Sequence, residues 1–346
     1  MTDKQFISTR RDLLRSGAAL ALAAPFASLA SRGAAQELSL YALLEQAADL
    51  TFLETVIVAR DGAILAERGY RGHSTSDPTN IKSASKSVMS SLIGIAIGRG
   101  VLIGVDQPIA PILRDEVPAS ADPRIERITL GHLLSMQAGL RPTSGADYGR
   151  WVSGPNWVRG ALAQPFEDDP GGRMLYSTGS THLLSAILTE VTGRSTLDNA
   201  QAWLGPVEGF SIASWQRDPQ GIYLGGNEMA MSPRSLLAFG EVWRRGGTGP
   251  DGSQVLPRGW VDRAWTPRTT SRWSGEGYGY GWFLRTIGGQ EVRFAWGYGG
   301  QMLYIVPALG LSLVMTSDET PRPTTIEDRD RLHELAAAII QDLRAG

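Results

Sequence analysis

Runs with strand character stand at both ends of the chain, and the stretch between them carries mainly helical apolar spacing. Near the start, Leu38 to Leu50 is spaced as a helix, Thr55 to Ala59 alternates into the hairpin signal Asp61-Gly62, and Ala63 to Ala66 follows. Near the end, Gly281 to Leu284, Glu291 to Ala295, Met302 to Val306 and Leu311 to Thr316 read as strands broken by Gly or Pro. A last helix is predicted from about Ile326 to Leu343. Such an order implies an α/β fold of the α+β kind: an antiparallel sheet built from both termini and flanked by helices. An inserted, mainly helical region (about residues 88–246) packs on that sheet and leaves a cleft at the junction.

Composition narrows the chemistry. With 42% hydrophobic and 20% charged residues, the chain has the balance of a soluble globular protein and is neither disordered nor fibrous. It has no cysteine, which removes thiolate nucleophiles, zinc-thiolate sites and iron–sulfur clusters, so a covalent catalyst must be an oxygen or an amine. His73, His132, His182 and His333 lie far apart and form no HExxH-type pair, so no metal or other cofactor is expected. A net charge of −2 without a basic stripe gives no reason to expect a nucleic-acid partner. Cations are written almost wholly in arginine, and the lysines are Lys4, Lys82 and Lys86 alone. A lysine can lose its proton when buried, whereas an arginine cannot, so a need for an amine is one reason to keep one.

Residues 1–35 read as an address. Thr9-Arg10-Arg11-Asp12-Leu13-Leu14 precedes an Ala/Leu-rich run from Gly17 to Ala30, followed by small-residue cleavage sites at Ala30 or Ala35. This is the pattern of a twin-arginine export signal. It implies the twin-arginine machinery as a partner, a periplasmic or secreted home, and no stable membrane span after processing, with one domain over 36–346. The apolar run is short for a bilayer, which needs about 20 apolar residues.

Ser83 and Lys86 sit where a polar loop enters a strongly apolar helical run. Three residues apart on a helix, they share a face, so the amine can reach the hydroxyl. Backbone N–H groups at a helix start favour an oxyanion forming there. For Lys86 to act as a base near neutral pH it needs desolvation or a cationic neighbour, which Lys82 could supply. The bland reading makes Ser83 an N-cap. Tyr176 precedes a helix that begins near Ser180 and could point a phenol into a cleft or pack as a core aromatic. A glycine-rich turn, Trp296-Gly297-Tyr298-Gly299-Gly300, lies between two predicted strands and suits a strand edge set against a substrate, or a simple bend.

Together, Ser-x-x-Lys, a Tyr-x-x some 90 residues on and a Gly-rich strand near the C-terminus resemble the serine β-lactamase and penicillin-binding-protein superfamily. The similarity is closest to class C-like members. Gly225-Gly226-Asn227-Glu228-Met229 and the turn at Gly297 look like the branch of 6-aminohexanoate-dimer hydrolases and β-lactamase-fold esterases. The resemblance implies Ser83 as nucleophile, Lys86 as its activating amine and Tyr176 as proton shuttle. It also implies an oxyanion hole from the N–H groups of Ser83 and Tyr298. Asn227, Trp296, Gly297 and Tyr298 are the expected substrate contacts, and Trp151 and Trp157, in a predicted loop, either cover the cleft or pack.

Two departures bear on the substrate. Thr178 stands where the family's Tyr-x-Asn has its amide, and Ala295-Trp296-Gly297 stands in place of Lys-Thr-Gly, removing a cation that would meet a substrate carboxylate. The expectation is therefore an exported serine hydrolase acting on a small ester or amide through an acyl-enzyme. A D-alanyl peptidase or weak β-lactamase, and a non-catalytic envelope binding protein, are the rivals.

Overall fold

The computed structural model describes residues 38–318 and 326–345, so the leader read at 1–35 lies outside the described residues. After a helix α1 (38–46), strand β1 (Leu53–Arg60) turns through Asp61-Gly62 into β2 (Ala63–Gly69). Strands β3 (Thr79–Asn80), β4 (Ser214–Trp215) and β5 (Met229–Met231) form a small separate sheet in the order β3-β5-β4, which the sequence did not suggest. Strands β6 (Thr269–Thr270), β7 (Gly277–Tyr278), β8 (Phe283–Ile287), β9 (Gln290–Gly297), β10 (Gln301–Val306) and β11 (Leu311–Ser317) follow. The main sheet runs β2-β1-β11-β10-β9-β8-β7-β6, antiparallel at every pairing. Its centre joins β1 to β11, so both ends of the chain do build one sheet.

The helices are α2 (Ser85–Gly98), α3 (Leu130–Leu134), α4 (Tyr148–Val152), α5 (Trp157–Leu162), α6 (Thr178–Thr192), α7 (Thr196–Trp203), α8 (Pro233–Arg244), α9 (Trp260–Ala264) and α10 (Ile326–Ala345). Alternation along β1 divides the core: Ile57 and Ala59 face a cluster with Val88 and Leu92 of α2 and Phe239 of α8, while Val56 and Val58 face Leu40 and Leu44 of α1 and Ile339 of α10. The sheet is thus covered on both faces. Among the described residues no helix is long and apolar enough to cross a membrane.

Two local expectations are corrected. Gly281 and Trp282 precede β8 instead of opening it, because Gly281 takes φ +78°, which an extended strand does not use. Trp151 and Trp157 lie in α4 and α5, not in a loop. Both are buried, with centroids 5.6 Å apart and 5.7 and 5.9 Å from His182, whose Nε2 meets Asp218 Oδ2 at 3.0 Å. They are core packing for the inserted region and do not cover the cleft.

Candidate active site

The chain leaves β3, buries Ile81 completely and makes one 3-10 turn, Lys82–Ala84, before α2 begins. Asn80 Oδ1 accepts the Lys82 N–H at 3.0 Å, and Ser85 Oγ donates to the Lys82 carbonyl at 2.7 Å, which holds the turn from both sides. Ser83 is therefore displayed on a turn ahead of the helix. The N-cap of α2 is Ala84, with no side-chain cap, so the capping role open to Ser83 is not the one it takes. Helix α2 is buried from Ser85 to Ala96, so it anchors Lys86 rigidly.

Lys86 is 1% exposed. Its Nζ donates to Ser83 Oγ at 3.0 Å, to Thr178 Oγ1 at 3.3 Å and to the Gly226 carbonyl at 2.6 Å. Burial alone brings the amine down to about 7 from the usual 10.5. Lys82 is not the cause: its ammonium donates to Glu228 Oε1 at 3.0 Å, and the cationic field expected from it is spent on that carboxylate. A neutral amine has two N–H groups and one lone pair. Lys86 can keep Gly226 and Thr178 as acceptors while the lone pair faces the Ser83 hydroxyl.

Tyr176 lies two residues before α6, which starts at Thr178, slightly earlier than predicted. Its side chain lines the same cleft as Ser83, and its ring centre lies 5.1 Å from Lys86 Nζ. Phe283 stacks on the ring at 6.1 Å and Tyr278 meets it edge-on at 6.2 Å. Burial pushes the phenol well above its ordinary value, an effect the neighbouring Ser83 hydroxyl partly opposes, so it stays protonated at neutral pH. Hydroxyl 83, amine 86 and phenol 176 thus converge. A low-titrating amine beside a hydroxyl, with a neutral phenol on the other side, can take up a proton and return it.

The end of β9 closes the site. A Cβ at Gly297 would stand 2.2 Å from the Ile81 carbonyl oxygen and 3.0 Å from Lys82 Cβ, so only glycine lets this strand lie against the Ser83 turn. Gly297→Ala is expected to push the strand from the turn and lower kcat/KM by about 100-fold, the scale of a misplacement near 1 Å. Kinetics alongside circular dichroism would check it, and an unchanged rate in a folded variant would count against the close approach. Tyr298 follows, with its side chain half exposed at the cleft mouth, and Trp296 lines the same wall. Ala295 points into the core, and the Arg329 guanidinium lies behind Trp296, 5.3 Å from its ring centre.

A cleft of about 740 Å³ opens on Ser83 and Tyr176, with Met174, Phe283, Trp296 and Trp273 among its apolar walls. Asn227 also lines it, as does Tyr148, and Asn227 Oδ1 is buried with no hydrogen-bond partner among the described residues. The structure thus places Ser83, Tyr176, Asn227, Trp296 and Tyr298 on one cleft, with Lys86 and Gly297 packed against the Ser83 turn behind it. The sequence reading missed Tyr148, Trp273 and Phe283, and it saw Glu228 only as part of a motif. No spacing signal could have paired Glu228 with Lys82, 146 residues away. Among the described residues no cluster of three or more acidic or histidine side chains could hold a metal ion.

A model of the Beta-lactamase family matches residues 51–338. A 6-aminohexanoate-dimer hydrolase of Paenarthrobacter ureafaciens is 24% identical over 251 residues, 68% of this chain and 62% of that protein, so the chain spans less than two thirds of that relative. EstCE1, described as a hydrolase with promiscuous acyltransferase activity, aligns with a TM-score of 0.71 at 17% identity, over 91% of this chain and 100% of that one. A penicillin-binding protein homologue from Pyrococcus abyssi aligns with a TM-score of 0.65 at 16% identity, over 86% of this chain and 75% of that one. Solved structures this distant speak to the fold alone.

Proposed function

The chain belongs to the Beta-lactamase family, and from that premise we propose that it is an exported serine hydrolase that cleaves a small ester or amide through an acyl-enzyme on Ser83. The observation that carries this reading is the 3.0 Å contact between Lys86 Nζ and Ser83 Oγ inside a buried pocket that depresses the amine. In the first half-reaction Ser83 Oγ bonds to the substrate carbonyl carbon as its proton passes to Lys86. The N–H groups of Ser83 and Tyr298 receive the oxyanion. Collapse breaks the carbonyl bond to the leaving alcohol or amine, which takes a proton from the Tyr176 hydroxyl while Lys86 returns one to Tyr176. In the second half, water replaces the leaving group, its proton follows the reverse route, and the acid leaves with Ser83 restored. Asn227 and Trp296 contact the substrate, and no cofactor enters any step.

The names of the relatives favour hydrolysis, and the apolar walls suit uncharged acyl groups. The test is a fluorophosphonate probe on the purified protein, with p-nitrophenyl esters, linear amide dimers and nitrocefin assayed beside it. Labelling mapped to Ser83 with ester or amide turnover is expected. Labelling without any turnover would support a binding protein, and nitrocefin as the best substrate would support the β-lactamase reading.

Export rests on Arg10-Arg11 and the apolar run after them. Replacing both arginines with lysine is expected to keep the protein in the cytoplasm, read by cell fractionation. Continued delivery to the periplasm would remove the twin-arginine assignment.

A further inference from the structure

Lys82 and Glu228 are the two charged side chains among the described residues lining the cleft. They face each other across its wall from separate elements, with Lys82 on the Ser83 turn and Glu228 just before β5. Lys82 Nζ donates to Glu228 Oε1 at 3.0 Å, Asn80 Nδ2 donates to Glu228 Oε2 at 2.7 Å, and Asn80 Oδ1 accepts the Lys82 N–H at 3.0 Å. The three residues thus close a ring in which both carboxylate oxygens are used. Lys82 at φ +48° and Glu228 at φ +50° hold left-handed backbone conformations that long side chains rarely adopt, so the surrounding packing imposes this arrangement. Their side chains are 14% and 28% exposed, which leaves their fields incompletely screened by water.

We propose that this pair sets the substrate class of the cleft, admitting uncharged esters and amides and rejecting acyl groups that carry a carboxylate or an ammonium. The proposal deepens the serine-hydrolase reading and rests on it. An anionic group entering beside Ser83 meets Glu228, a cationic one meets Lys82, and either gains only by breaking a pair that already satisfies itself. A neutral acyl group leaves the ring intact and fills the apolar wall of Phe283, Trp296 and Met174.

The experiment compares three p-nitrophenyl esters of similar length, with butyrate as the neutral acyl group, hemiglutarate as the anionic one and 4-(trimethylammonio)butyrate as the cationic one. Assays use wild type, Glu228→Gln and Lys82→Met at a pH above the Lys86 titration. Wild type is expected to favour the neutral ester. Glu228→Gln raises the charge of the wall by one unit and should increase the anionic-to-neutral ratio of kcat/KM by about tenfold. Lys82→Met should increase the cationic-to-neutral ratio by a similar factor. Taking ratios cancels any loss that a disturbed Ser83 turn imposes on all three esters alike. A wild-type preference for either charged ester, or ratios unchanged in both variants, would overturn the proposal. If one variant fails to fold, the other and the wild-type ranking still decide it. Failure of the hydrolase reading looks different: wild type turns over none of the esters and Ser83 takes no probe, which removes both.

Discussion

Ser83→Ala is expected to lower kcat/KM for the best ester by a factor on the order of 10⁵, the scale seen when the nucleophile of a covalent hydrolase is deleted, and to abolish labelling by a fluorophosphonate. The variant should fold normally. Ser83 caps no helix, and the turn that carries it is held by Asn80 Oδ1 and Ser85 Oγ, not by the Ser83 hydroxyl. Lys86 would keep its bonds to Gly226 and Thr178. A binding assay with a substrate analogue separates the two functions: affinity should survive while turnover is lost. Full activity in Ser83→Ala would end the account of an acyl-enzyme on Ser83.

Lys86→Met carries the second large effect, a fall of about 10³–10⁴ in kcat/KM, within the range that a positioned proton acceptor contributes. Its signature is the pH profile. In wild type the amine must be neutral to accept the Ser83 proton, and burial has lowered it to about 7. Activity should therefore be low below that value, rise through it and level off above. The residual activity of Lys86→Met should lack this limb. A limb near the ordinary lysine value would mean that water reaches the amine, and the base role would then fail. Tyr176 does not compete for that role, because burial drives its proton affinity upward and it remains a neutral phenol where Lys86 titrates.

The proposed proton route depends on long-range contacts more than on the motif. Thr178 keeps only a hydroxyl where the family pattern has an amide, yet that hydroxyl accepts from Lys86 Nζ at 3.3 Å and lies 3.0 Å from Ser144 Oγ. The carbonyl of Gly226, 140 residues from Lys86, gives the amine its shortest bond. These partners explain how a buried amine stays satisfied without a charge beside it. On the far wall, Ala295 lies in the core and Trp296 in the cleft, so the charged side chains lining the cleft among the described residues are Lys82 and Glu228.

Much of this was readable before any coordinates. The alternation of Thr55 to Ala59 and the strand runs after Phe283 announced one sheet from both ends, because a two-residue period and a glycine turn are local properties of the backbone. The three-residue spacing of Ser83 and Lys86 announced their contact for a similar reason, since helical geometry sets distances over a single turn. The short strands β3, β4 and β5 were illegible because two or three residues carry no period. Trp151 and Trp157 were misplaced because a short helix looks like a loop when its apolar residues face a neighbour and not a stripe.

What the chain alone determined was therefore which groups could react and which of them stood three residues apart where a helix begins. Only the tertiary structure decided that Lys86 is dry, that Tyr176 turns toward Ser83, and that Lys82 is occupied by Glu228 instead of acting on Lys86. The reason is physical: a proton affinity is set by how much water packing removes and by which distant groups packing brings in, and neither quantity is written in the spacing of residues.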